Sequence, residues 1–148
     1  MQYYSLNRRT PDVNFEKALF KGLAPDGSLY FPNKIPKFSQ EELDKLKNNS
    51  LQQVGFKVLK KWIGDELETE VIKKIAKKAL NFPIPLKKIN NQYLLELFHG
   101  PTLAFKDIAA RNLALLMSNM LGKSKGKANI LVATSGDTGG AVAHGFSD

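Results

Sequence analysis

From residue 93 onward the chain switches repeatedly between strand-like and helix-like hydrophobic patterns, and that alternation leaves few architectures open. Tyr93 to Phe98 reads as a strand, and Lys106 to Leu121 as a long apolar helix stopped by Gly122. Asn129 to Ala133 then runs without a polar interruption through Ile130, Leu131 and Val132, and a further helix opens near Thr138. An apolar run that does not alternate is the pattern of a strand covered on both faces of a parallel sheet. Strand, helix, strand, helix is the opening of an open, mostly parallel α/β sheet with right-handed crossovers. Two strands make a small sheet, since ~4–6 are usual. The expectation is therefore that residues 1–148 are the N-terminal part of a longer protein.

The upstream half reads differently. Residues 1–38 look irregular, with one short helix and one hairpin. Asn14 is placed to cap a helix through Lys21, which Gly22 can stop. Asp26-Gly27 lies between the apolar pairs Leu23-Ala24 and Leu29-Tyr30, a strong hairpin signal. Ser39 and Glu42 make a capping box for a helix to about Asn48. Leu51, Val54, Val58, Leu59, Trp62 and Ile63 follow helical spacing up to Gly64. A second stripe runs from Leu67 through Ile72 and Ile75 to Leu80, ended by Pro83 and Pro85. The expected organisation is a mainly helical N-terminal domain, 1–82, followed by the start of an incomplete α/β domain, 83–148.

Composition removes several function classes. There is no cysteine, which excludes disulfides and thiolate metal sites. With two histidines as well, a metal site has no support. The N-terminus lacks a signal-peptide layout, and no apolar run reaches the ~18 residues of a membrane span. A soluble cytoplasmic protein is expected. The net charge of +8 comes almost wholly from lysine, with arginine only at Arg8, Arg9 and Arg111. Nucleic-acid readers lean on arginine for bidentate contacts. The lysines here sit on helical outer faces, several beside acids, as in the pairs Glu41–Lys45 and Glu70–Lys74. The charge reads as a solvated surface rather than a polyanion-binding module.

Two segments carry chemistry. Lys106 stands at a helix entrance between apolar Ala104-Phe105 and Ile108-Ala109, after the turn His99-Gly100-Pro101. Partial desolvation there disfavours the ammonium and makes the amine a better nucleophile and Schiff-base former. Asp107 reads as a carboxylate in the positive first turn of the helix. The second segment, Thr134 to Gly140, follows the apolar run and precedes a helix, the edge of an α/β sheet where ligands bind. Its glycines let backbone amides converge on an anion. An ordinary βα turn explains the same residues equally well. The segment is neither a Walker-type nor a dinucleotide loop, and Ser135 lacks the flanking glycines of a hydrolase elbow. His99 and His144 read as structural.

These segments resemble motifs of threonine synthase, a family of fold-type II pyridoxal-phosphate enzymes. Phe98 to Asp107 is similar to the cofactor-lysine motif, and Ala133 to Gly140 to the T-S-G-D-T-G substrate loop. Gly22 to Pro32 is similar to the family's N-terminal G-L-A-x-D-G-x-L-Y-x-P. The first two have relatives in serine/threonine dehydratases and cysteine synthases; the third is narrower. Ser28 departs from the pattern where glycine is common. The resemblance implies that Lys106 binds pyridoxal phosphate as a Schiff base. It implies that Ser135, Gly136, Asp137, Thr138 and Gly139 surround the substrate carboxylate, with Asp137 also near the cofactor ring. Thr102 is the candidate for the substrate phosphate. The implied reaction takes O-phospho-L-homoserine and water to L-threonine and phosphate. In the family, the cofactor-phosphate loop and the group facing the pyridine nitrogen come later in the chain, so the fragment alone is expected to be inactive. A carboxylate at Asp137 facing a substrate carboxylate is repulsive unless it points elsewhere, so backbone amides are the expected anion donors.

Overall fold

The computed structural model describes residues 1–124, 127–134 and 136–147. It forms two compact units, Met1–Lys73 and Lys74–Asp148. The divide falls inside a helix, nine residues before the change in composition at 82/83.

The first unit opens with a three-stranded antiparallel sheet of order β2-β1-β3, built from β1 (Gln2–Ser5), β2 (Val13–Asn14) and β3 (Tyr30–Pro32). Aromatic residues at Tyr3, Tyr4, Tyr30 and Phe31 suit a pleated, half-buried surface. Tyr4 pairs with Phe31 and Tyr3 with Pro32 across the sheet. Helix α1 (Phe15–Lys21) is capped by the Asn14 side chain, which accepts from the Lys17 amide, and stopped by Gly22 at φ 65°. Helices α2 (Gln40–Leu46) and α3 (Leu51–Ile63) each start with a complete capping box, Ser39 with Glu42 and Ser50 with Gln53. Gly64, at φ 67°, closes α3. Helix α4 (Thr69–Ala79) follows. Ile63, Leu67 and Ile72 are fully buried. On the surface Glu41 pairs with Lys45 as expected, whereas Glu70 pairs with Lys73, one turn position short of Lys74.

The expected hairpin forms as an antiparallel bridge between Leu23 and Leu29, and Asp26 ties it down. Its carboxylate accepts from the Ser5 hydroxyl at 2.7 Å, from the Ser28 hydroxyl at 2.7 Å and from the Ser28 amide at 3.0 Å. These bonds, that from Ser5 foremost, favour the charged form and push its pKa from 3.8 down to about 2. A depressed folded-state value means that the group stabilises the fold above the unfolded pKa and loses that contribution as pH falls toward the folded one. Asp26→Asn is therefore expected to lower the denaturant midpoint at pH 5. The gap from wild type should close as pH drops from about 4 to about 2. A constant gap over that range would remove Asp26 from this role.

In the second unit, β4 (Leu86–Ile89) and β5 (Gln92–Leu95) form a two-residue-loop hairpin, with Leu86 opposite Leu95 and Ile89 opposite Gln92. Asn90 takes the left-handed φ of 53° that such loops require. Helices α5 (Asp107–Ser124) and α6 (Asp137–Phe146) pack on each other. Their contact uses small residues: Ala104, Ala110 and Ala141 are buried together against Val142. A side chain at Gly145 would sit 3.1 Å from the Ala110 carbonyl oxygen, so glycine sets how closely the helices approach.

The expected parallel strand pair is not formed among the described residues. Tyr93 to Leu95 belongs to the antiparallel hairpin instead. Residues 129–133 form no strand, and Leu131 is 94% exposed. A strand exists by hydrogen bonding to a neighbour, and no described strand pairs with this segment. The architecture seen is mixed helix with two small antiparallel sheets. No described helix is long and apolar enough to cross a membrane.

Candidate active site

The two segments singled out in the sequence come together in the second unit. Lys106, in the last turn before α5, donates from Nζ to Asp137 Oδ2 at 2.7 Å, across 31 positions of sequence. The same Nζ lies 4.1 Å from the centre of the Phe105 ring, which attracts a cation through its π face. The Lys106 side chain is 31% exposed, so the amine sits at a surface with a route from solvent. Its apolar neighbours divide: Ala104 is buried, whereas Phe105 is exposed.

Asp137 is the first residue of α6, and its carboxylate is turned to Lys106. This removes the electrostatic difficulty, because the charge that would repel an incoming carboxylate is taken up by the lysine. Gly136, before it, has φ 114° and ψ −56°, a region open to glycine. No side chain caps the α6 N-terminus, while the Gly140 amide is already engaged by the Gly136 carbonyl at 2.8 Å. The first-turn amides of residues 137–139 thus stand where a helix offers its partial positive charge. Gly139 approaches Thr134 so closely that a Cβ would meet Thr134 Cγ2 at 2.9 Å. Thr138 lies in the same turn. Ser135 lies outside the described residues.

Thr102 is oriented inward. Its amide donates to Asp107 Oδ2 at 2.9 Å and its hydroxyl to Asp107 Oδ1 at 2.6 Å. The hydroxyl proton is thus committed within the chain, leaving lone pairs rather than a donor on its open side. His99 contacts Glu96 at 2.7 Å and stacks on Phe98. His144 is in α6, away from Lys106 in sequence, with Nδ1 buried. Sequence reasoning missed the depth of Asp107, which is fully buried. The signal available was a serine-like donor, Thr102, spaced to reach back from a helix start, the geometry of a local side-chain bridge.

The chain is similar to known proteins along its whole length. The profile of the family described as "Threonine synthase N terminus" matches residues 2–80. The threonine synthase of Escherichia coli is 39% identical over 147 residues, covering 99% of this chain and 34% of that protein. The threonine synthase of Buchnera aphidicola from Schizaphis graminum is 43% identical over 148 residues, again 99% and 34%. Among solved structures, a PLP-bound threonine synthase from Brucella melitensis superposes with a TM-score of 0.94 at 39% identity, over 99% of this chain and 33% of that one. The chain spans about a third of the length of the curated relatives it matches.

Proposed function

The chain belongs to the threonine synthase family, and from that premise we propose that the full-length protein is a pyridoxal-phosphate enzyme converting O-phospho-L-homoserine and water to L-threonine and phosphate. The observation that carries the reading is the 2.7 Å pairing of Lys106 with Asp137 beside an uncapped helix N-terminus. One accessible primary amine and a set of backbone donors stand on the same side of the α5–α6 pair, which fits an aldehyde cofactor next to an anionic substrate. The fold-type II sheet, with residues 129–133 as one of its strands, belongs to the proposal, as do a domain boundary near 82 and a soluble cytoplasmic setting.

Bound pyridoxal phosphate supplies an aldehyde for an amine to attack and a ring that takes up carbanion charge. Lys106 holds the cofactor through Nζ and, once released, moves protons at that atom beside the substrate. Asp137 neutralises the ammonium of the free lysine and lies at the cofactor side of the loop. Backbone amides of the segment containing Ser135, Gly136, Asp137, Thr138 and Gly139 bind the substrate carboxylate. Thr102 faces the substrate phosphate on position, its own hydroxyl proton being held by Asp107.

The full-length protein is expected to release phosphate from O-phospho-L-homoserine and to form threonine in equal amount. Turnover of serine, threonine or O-acetylserine with no use of O-phospho-L-homoserine would move the protein to a dehydratase or cysteine synthase type.

A further inference from the structure

Beside Lys106 lies the one fully buried carboxylate among the described residues, Asp107. No described lysine, arginine or histidine pairs with it in the ion pairs of either unit. Its partners are both donors of Thr102, the amide at 2.9 Å on one oxygen and the hydroxyl at 2.6 Å on the other. The chain between them is tightly folded. The Leu103 amide donates to the Gly100 carbonyl at 3.1 Å, and the Asp107 amide to the Ala104 carbonyl at 3.0 Å. Leu103 is held at φ 59°, a left-handed conformation that a branched residue adopts only where its surroundings impose it. Gly100 lies against the carboxylate: a Cβ there would stand 2.7 Å from Asp107 Cβ and 2.9 Å from Cγ.

We propose that Asp107 is the positioning residue of this site: by gripping both donors of Thr102 it locks the Gly100–Leu103 turn and sets the direction in which Lys106 leaves the backbone. The proposal rests on the reading of Lys106 as the cofactor lysine. Its physical basis is adjacency. Lys106 is the peptide neighbour of the buried anchor, and its carbonyl accepts the Ala110 amide at 2.9 Å, in the first turn of α5. Rotation of the turn therefore becomes rotation of the lysine stem. The lysine side chain that meets Asp137 at 2.7 Å starts from this backbone direction, and misplacement of a reacting group by ~1 Å can cost ~10²-fold in rate.

The test uses the full-length protein stripped of cofactor, with pyridoxal phosphate as the probe. The Lys106 amine condenses with the aldehyde, water leaves, and added borohydride reduces the carbon–nitrogen double bond to a stable secondary amine. Peptide mass mapping then gives the rate of capture at Lys106, and denaturant unfolding gives stability separately. Asp107→Ala is expected to slow capture by ~10²-fold, and Asp107→Asn, whose amide oxygen still accepts the Thr102 amide, to recover most of it. Thr102→Val should slow capture by ~10-fold, the worth of one hydrogen bond to a charged group, and Thr102→Ser should bring it back. If Asp107→Ala does not fold, the Thr102 pair decides. Capture at Lys106 that is as fast in the folded Asp107 and Thr102→Val variants as in wild type overturns the positioning role alone. Absence of label at Lys106 in the wild type overturns the function reading together with it.

Discussion

Replacing Lys106 with alanine in the full-length protein is expected to abolish the visible absorption of the bound cofactor and to reduce turnover by at least ~10²–10⁴-fold, the range one positioned proton-transfer group supplies. The loss should exceed that of any other single substitution here, because the role proposed for Lys106 is both to attach the cofactor and to move protons. Lys106→Arg separates those roles from the ion pair. Arginine can still pair with Asp137, which receives Lys106 Nζ at 2.7 Å, and a guanidinium matches a carboxylate bidentately. It does not lose its proton near neutral pH, so it cannot condense with an aldehyde. Both variants should therefore be spectroscopically silent, with Lys106→Arg the more stable of the two. A visible band that survives either substitution would mean that another lysine carries the cofactor.

Gly136→Val should be the second most damaging change, and its cost comes from the backbone. Nothing lies within 4 Å of where a Cβ at Gly136 would point, so space is not the obstacle. The obstacle is φ, which at 114° lies where a β-branched residue is strongly disfavoured. Valine would force the peptide to rotate, and the rotation would swing the amide of Asp137 and the start of α6 away from the substrate carboxylate proposed to bind there. Loss of one well-placed donor costs ~2.7–4 kcal/mol, or ~10²–10³-fold in kcat. Ser135→Ala, which leaves the backbone as it is, should cost far less. Comparable small losses from the two substitutions would reduce the segment to a connecting turn.

The second substitution exposes a general difference between the features that could be read in advance and those that could not. Helix ends were legible because capping is a contact across three residues. Asn14 reaches the Lys17 amide, and Ser39 exchanges bonds with Glu42. The Ser50–Gln53 box has the same spacing and opens α3 in the same way. Gly22 and Gly64 ended their helices with positive φ, as their type allows. The N-terminal sheet was not legible. Val13–Asn14 is two residues long, and its strand character comes from Gln2 and Tyr3 beside it. The β4–β5 hairpin carried a signal in Asn90-Asn91 that alternation alone did not show, since both faces of each strand are exposed.

The chemistry divides along the same line. Amino-acid order by itself determined that a lysine stands at a helix entrance and that a glycine-rich turn precedes a second helix. It determined the chain's family through three motifs in sequence order. Tertiary structure alone decided that Asp137 faces Lys106, that Asp107 turns back to Thr102 in a fully buried position, and that residues 129–133 are without a strand partner among the described residues. The reason is range. Caps and turns are settled by groups a few bonds apart, whose spacing is written in the chain. An ion pair across 31 positions depends on how closely two helices approach, and that approach was set by Gly145 against the Ala110 carbonyl, a contact without any local pattern to announce it.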